Sequence, residues 1–117
     1  MKPSTTPELS DSSEEPTLEA DGNGIIVAVN APVTEITGFT AQELLGQHFH
    51  ILVPPDQAGL AASNFERKLT DPTLVTRYQI EIQRKDGRRC AIEVTSRRVE
   101  QPGSPPRLRG VWKSPAV

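Results

Sequence analysis

Residues 21–46 read DGNGIIVAVNAPVTEITGFTAQELLG, and the order of signals along this stretch decides the fold. Asp21-Gly22-Asn23-Gly24 is a turn, because Gly and Asn adopt positive φ at little steric cost. Ile25 to Val29 is a short, mostly β-branched apolar run and reads as a buried strand. Asn30 stands at the N-cap position of a following helix, and Pro32 falls in its first turn, where a missing N–H is harmless. Gly38 stops that helix. Thr40-Ala41-Gln42-Glu43 is a capping box, in which the Thr40 hydroxyl accepts from the Glu43 backbone and the Glu43 carboxylate reaches back to Thr40. Leu44 and Leu45 give the buried face of this second helix, and Gly46 ends it.

Upstream, Thr17 to Ala20 is a first strand that turns at 21–24 and pairs with the second. The glycines of that turn do not make a dinucleotide loop, since the third glycine is missing and the strand follows them instead of preceding them. Helices as short as 31–37 and 41–45 do not hold alone, so Val33, Ile36, Phe39, Leu44 and Leu45 must anchor them on a sheet. Downstream, Asp56 caps a longer helix that runs to about Leu69, with Leu60, Ala61, Phe65, Lys68 and Leu69 at helical spacing and Glu66, Arg67 and Lys68 as a solvated end. Asp71-Pro72 breaks it. Three strands follow. From Val75 to Arg84, Tyr78, Ile80 and Ile82 share one face. Asp86-Gly87 is a hairpin turn, and from Arg88 to Val99, Cys90, Ile92 and Val94 share a face. A loop at 101–106 precedes a last strand, 107–113, with Leu108 and Trp112 on one face and Val111 on the other.

The chain has 117 residues, enough for one domain with a modest core. Of its net charge of −2, the first sixteen residues carry −3 (Glu8, Asp11, Glu14 and Glu15 against Lys2), leaving +1 for the rest. Neither part has the basic footprint of a nucleic-acid binder. The segment 1–16 is rich in Ser, Thr, Pro and Glu and holds one large aliphatic residue, Leu9, so it is expected to be a disordered tail. Residues 17–113 form the domain and 114–117 a C-terminal tail. No apolar run is long enough to cross a bilayer, the N-terminus is not a secretory signal, and the lone Cys90 fits a reducing compartment. These readings point to a cytoplasmic location.

The ordered set of motifs resembles the PAS family of signalling domains. The matching residues are Gly24 to Asn30, Thr37-Gly38-Phe39, Gln42-Glu43-Leu44-Leu45-Gly46, Pro54-Pro55-Asp56 and Arg84-Lys85-Asp86-Gly87, over roughly Thr17 to Trp112. The resemblance implies an α+β fold, a five-stranded antiparallel sheet with short helices packed on one face. It implies a sensory and interaction module, non-catalytic by itself, that takes a small ligand between sheet and helices, forms a homodimer, and passes the change to an effector such as a histidine kinase or a cyclic-nucleotide enzyme. The pocket candidates are Ile26 and Ala28 on the second strand, Ile36, Phe39 and Leu44 on the short helices, Phe49, His50 and Ile51 after them, Phe65 on the long helix, and Ile80, Ile82, Ile92 and Val94 on the hairpin. The same residues would as readily form a plain core. A partner surface is expected on the outward sheet face at Val99, Val111 and Trp112. Family members commonly end on an Arg-Asp-Ile-Thr cap that leads into a coiled coil; here Lys113 to Val117 replace it, and the chain is expected to be a piece of a longer signalling protein.

No cofactor is expected. The alternative is a haem- or flavin-binding redox or gas sensor, using His48, His50 or Trp112. The flavin photoreceptors of the family carry a reactive Cys where this chain has Gln47 to Leu52, with none, and the haem sensors take an axial His from the long helix, which has none here. His48 and His50 have no third metal ligand close in sequence. Cys90, beside Arg88 and Arg89, reads either as a redox-reactive thiol or as a small core hydrophobe. Glu81 and Glu93, near Arg77, Arg97 and Arg98, read as a cross-strand charge ladder before they read as paired catalytic acids.

Overall fold

The computed structural model describes residues 15–114, so the expected tails lie outside it except for Glu15, Pro16 and Ser114. Strands β1 (Thr17–Ala20) and β2 (Ile26–Val29) come first, followed by helices α1 (Ala31–Thr37) and α2 (Ala41–Leu44). Two single 3-10 turns, Phe49–Leu52 and Pro55–Gln57, lead into helix α3 (Ala58–Thr70). Strands β3 (Val75–Gln83), β4 (Arg89–Gln101) and β5 (Ser104–Lys113) complete one antiparallel sheet, in the order β2-β1-β5-β4-β3. The expected α+β architecture is therefore present.

The turn after β1 is held by Asp21, whose Oδ1 accepts from the backbone N–H of Asn23 at 2.8 Å and of Ile25 at 3.0 Å. Gly24 closes it at φ +84°, where a Cβ would also clash with Nε2 of His48. The free edge of β2 is not left bare. Gly46 donates to Ile26 O, Ile26 donates to Gln47 O, and Phe49 donates to Gly24 O, so the chain after α2 runs along this edge and blocks further strand addition. The capping box forms in both directions, with Thr40 N to Glu43 Oε1 at 2.9 Å and Glu43 N to Thr40 Oγ1 at 3.1 Å. Glu43 also accepts from Lys85 Nζ at 2.6 Å, which ties α2 to the β3–β4 hairpin and, with the Thr40 backbone, holds its carboxyl below the ordinary range.

Four local readings need correction. Asn30 precedes α1 but makes no cap bond; its buried Oδ1 instead accepts from Thr17 N at 3.0 Å, and its Nδ2 donates to Glu15 O at 2.8 Å. It clamps the start of β1. Asp56 does not cap α3 either. Arg89 takes its carboxylate through both Nη atoms, at 2.7 and 3.1 Å, while the Gln57 side chain accepts from Glu81 N at 3.2 Å on the edge of β3. The loop expected at 101–106 shrinks to a tight turn around Gly103, at φ +77°. Pro105 and Pro106 fall in β5 opposite the register shift between Val99 and Gln101, the kind of irregularity where a strand tolerates proline. Ala28 does not face the helices. A register shift between Glu19 and Ala20 sets Ala28 opposite Glu19, on the outer face, and Val29 opposite Leu18, against the core.

Ile26, Val33, Leu44, Leu52, Ala61, Ile80, Ile82, Ile92, Val94 and Trp112 form the core between the sheet's inner face and the helices. Each large side chain removed from water there contributes about 1.5–3 kcal/mol before chain entropy is set against it. The outer face is mostly charged. Its centre is Glu19, buried between Arg107 Nη1 at 3.1 Å and Arg109 Nε at 2.7 Å.

Candidate functional site

The inner face of the sheet does not close completely on α3. A cavity of about 100 Å³ remains between them. Strand pairing explains its walls, because residues directly opposite one another share a face. Thr76, Ser96, Gly110 and Leu18 form one row across β3, β4, β5 and β1, and Tyr78, Val94 and Trp112 form the next. Ile80 and Ile92 continue the floor. Ala61, Phe65 and Lys68 of α3 form the roof, and Phe49, Leu52 and Val53 close one side. Gly110 widens the cavity by lacking a side chain; a Cβ there would lie 3.4 Å from Val94 Cγ1. The Phe49 and Phe65 rings pack at a tilt of 46°, with their centroids 5.1 Å apart.

One wall is not apolar. Lys68 is 2% exposed, and Nζ donates to Asn64 O at 2.6 Å and to Thr76 Oγ1 at 3.1 Å. No carboxylate among the described residues forms an ion pair with it. Burial, and secondarily the charge of Arg67, push its pKa down to about 8. By sequence Lys68 belongs both to the stripe of Ala61 and Phe65 and to the solvated end of the helix, and the structure decides for the stripe. Its spacing from Ala61 and Phe65, seven and three residues, is what carries it to the buried side. Ser96, opposite Thr76, also lines the cavity, and its hydroxyl has no hydrogen-bond partner among the described residues.

Of the pocket candidates, Phe49, Phe65, Ile80, Ile82, Ile92 and Val94 line this cavity. Ile26 and Leu44 are buried in the core behind its wall, and Ile36, Phe39 and Ile51 pack on the core partly exposed. His50 is exposed; its backbone N–H donates to Nδ1 of His48 at 3.1 Å, and neither ring borders the cavity. The His48 ring packs instead on Gly24, and its pKa is lowered by burial and by His50. Leu18, Ala20, Leu52, Tyr78, Lys68 and Ser96 are cavity residues that the sequence reading missed. Trp112 does not stand on the outward face expected of it. It is 5% exposed and lines the cavity, because it shares the face of Leu108 and the helices cover that face. Val99 and Val111 do lie on the outer face, opposite Arg107 and opposite Thr17 and Thr95. Glu81 and Glu93 are not partners: Glu81 takes Arg89 and Glu93 takes Arg77.

The sequence profile of the PAS fold matches residues 7–111. The chain belongs to the PAS fold family. Solved PAS domains superimpose on it closely at low identity. A PAS domain from Colwellia psychrerythraea gives a TM-score of 0.76 at 17% identity, covering 86% of each chain. A domain of a sensory box sensor histidine kinase/response regulator from Geobacter sulfurreducens gives 0.73 at 17% identity, over 89% of this chain and 86% of that one. The PAS-B domain of Drosophila melanogaster Cycle, in a W398A form with bound glycerol, gives 0.74 at 17% identity, over 84% and 97%. The LOV protein of Rhodobacter sphaeroides gives 0.72 at 19% identity, and this PAS domain spans 60% of that chain. No curated protein sequence matches it. The residues here do not fit a haem or a flavin. The cavity is several-fold smaller than the roughly 300–1,000 Å³ of ordinary cofactor and drug-sized pockets, and the two histidines lie outside it. Among the described residues no helix is long and apolar enough to cross a membrane.

Proposed function

We propose that this PAS domain is a sensory and interaction module, non-catalytic by itself, that holds a small molecule in the cavity beneath Trp112 and signals its occupancy through a homodimer to an effector. The observation that carries the reading is the cavity itself, apolar on most walls with a few convergent polar groups at one end, the usual form of a small-ligand site. The likeness to a domain of a sensor histidine kinase and to a PAS domain solved with glycerol supports it. Trp112 belongs to both the cavity wall and the last strand, and its backbone N–H donates to Pro16 O at 2.9 Å. A change in packing at this ring therefore bears directly on both ends of the described chain.

Filling the cavity tests the reading. Ala61→Leu adds about three methyl-sized groups to the roof and should leave a folded protein with a changed Tm of a few degrees at most. A panel of small organic molecules followed by thermal shift should contain some that raise the Tm of the native chain and not that of the variant. If no molecule separates the two, the sensing reading fails. The dimer reading rests on the family resemblance and on Val99 and Val111 standing partly exposed on the outer face. Val111→Asp should shift the protein from dimer to monomer in light scattering, and an unchanged dimer mass would place the interface elsewhere.

A further inference from the structure

The polar end of the cavity contains an imbalance of charge. An ammonium inside a protein is stable only when its lost hydration is replaced, and neutral acceptors replace it poorly. Lys68 has three N–H protons. Two point at neutral oxygens, Asn64 O and Thr76 Oγ1, and one remains. The neighbouring Asn64 side chain is engaged with Leu60 O at 2.9 Å. The Ser96 hydroxyl, directly across from Thr76 on the adjacent strand, has no partner of its own among the described residues and faces the same space. A free N–H of a cation and a free O–H thus converge on one end of an otherwise apolar chamber.

We propose that the cavity binds a short aliphatic monocarboxylate, its carboxylate taken by Lys68 Nζ and Ser96 Oγ and its tail lying among Phe49, Leu52, Phe65, Ile80 and Ile92. This deepens the sensing reading and rests on it. The charge of the ligand completes an ion pair that the protein leaves half-made, and charge-assisted hydrogen bonds of this kind are the strong ones. The size follows from the volume. An apolar cavity of about 150 Å³ takes benzene, so about 100 Å³ takes four to six non-hydrogen atoms, the range of propionate and butyrate. A dicarboxylate is excluded, because its second charge would sit against Ile80, Ile92 and Phe65 with no donor. A free inorganic anion would leave the apolar walls unfilled.

Calorimetry of the full chain with butyrate, butyramide and 1-butanol, repeated on Lys68→Met and Ser96→Ala, tests this. Butyrate should bind the native chain one to one and at least tenfold more tightly than butyramide. Lys68→Met should lose butyrate by tenfold or more and keep 1-butanol, and Ser96→Ala should weaken butyrate severalfold. Retained 1-butanol binding shows that the variant is folded with its cavity intact. Equal binding of butyrate and butyramide, or unchanged butyrate binding by Lys68→Met, overturns the carboxylate assignment and leaves the sensing reading standing. Formate or phosphate binding as tightly as butyrate would overturn the role of the apolar tail. If neither butyrate nor the neutral probes bind any form, the cavity is not a ligand site and both readings fall.

Discussion

Lys68→Met should stabilise this PAS domain by about 3 kcal/mol at neutral pH. The native side chain keeps a charge out of water without a counter-charge, and burial lowers its pKa from 10.5 to about 8. Each pKa unit corresponds to about 1.4 kcal/mol between the two protonation states, which sets the scale. The loss of the bond to Thr76 subtracts about 1 kcal/mol, and burial of the methionine thioether in place of the ammonium restores much of it. The pH dependence gives an independent measure. Below about pH 8 the folded and unfolded chains both hold the Lys68 proton, so this group adds no slope. Between about 8 and 10.5 the unfolded chain still holds the proton while the folded chain has released it, so stability rises with pH. Tyr78 acts in the opposite sense further up. Burial raises its pKa above 10.0, so beyond that pH the unfolded chain loses a proton that the folded chain keeps, and stability falls. Denaturant midpoints should therefore climb from about pH 8, peak slightly above pH 10 in the native chain, and show only the fall in Lys68→Met. A variant less stable than the native chain, with an unchanged pH profile, would show that the ammonium is solvated.

The second large effect belongs to Asn30. Asn30→Ala should destabilise by about 3 kcal/mol, since it removes both bonds of the clamp and leaves the buried Thr17 N–H without a partner. The choice of replacement separates a clamp from a helix cap. Ser and Asp are as good as Asn at an N-cap, so Asn30→Ser and Asn30→Asp would be nearly neutral if capping were the role. Ser is too short to reach Thr17, and Asp has no N–H for Glu15 O. Both should lose at least 1 kcal/mol in urea unfolding, with β1 amides exchanging faster than those of β3 and β4. Wild-type stability in Asn30→Ser would restore the capping interpretation.

The residues legible from sequence are those governed by neighbours a few positions away. The capping box at Thr40, the stop at Gly38 and the alternation of Tyr78, Ile80 and Ile82 depend on local backbone periodicity, and the structure reproduces each. The misread residues are decided by partners far along the chain. Ala28 turns outward because one extra residue is accommodated between β1 and β2, which period-two counting cannot see. Asn30 has the right identity and position for a cap, yet is spent on Thr17, thirteen residues upstream. Alternation put Leu108 and Trp112 on one face but carried no information on which face the helices cover. Lys68 carries two sequence signals, charge and helical spacing, and only the assembled sheet decides between them in favour of the spacing. The cavity as a whole was legible only as a set of apolar strand faces, and its polar end, built from α3, β3 and β4 together, exists only after the sheet is assembled.

The place of β5 in the middle of the sheet also sets the order in which the domain can mature during synthesis. β1 is translated early and pairs with β2, but its other neighbour is β5, in a register that joins Thr17 to Val111. Until the last strand is released, the β1–β2 and β3–β4 pairs lack the strand that joins them, and each keeps an unpaired inner edge. Such non-local closure is slow, and the waiting halves are prone to clump. A stop codon a few residues before Lys113 would therefore not trim the domain but leave it as a chaperone substrate in two pieces.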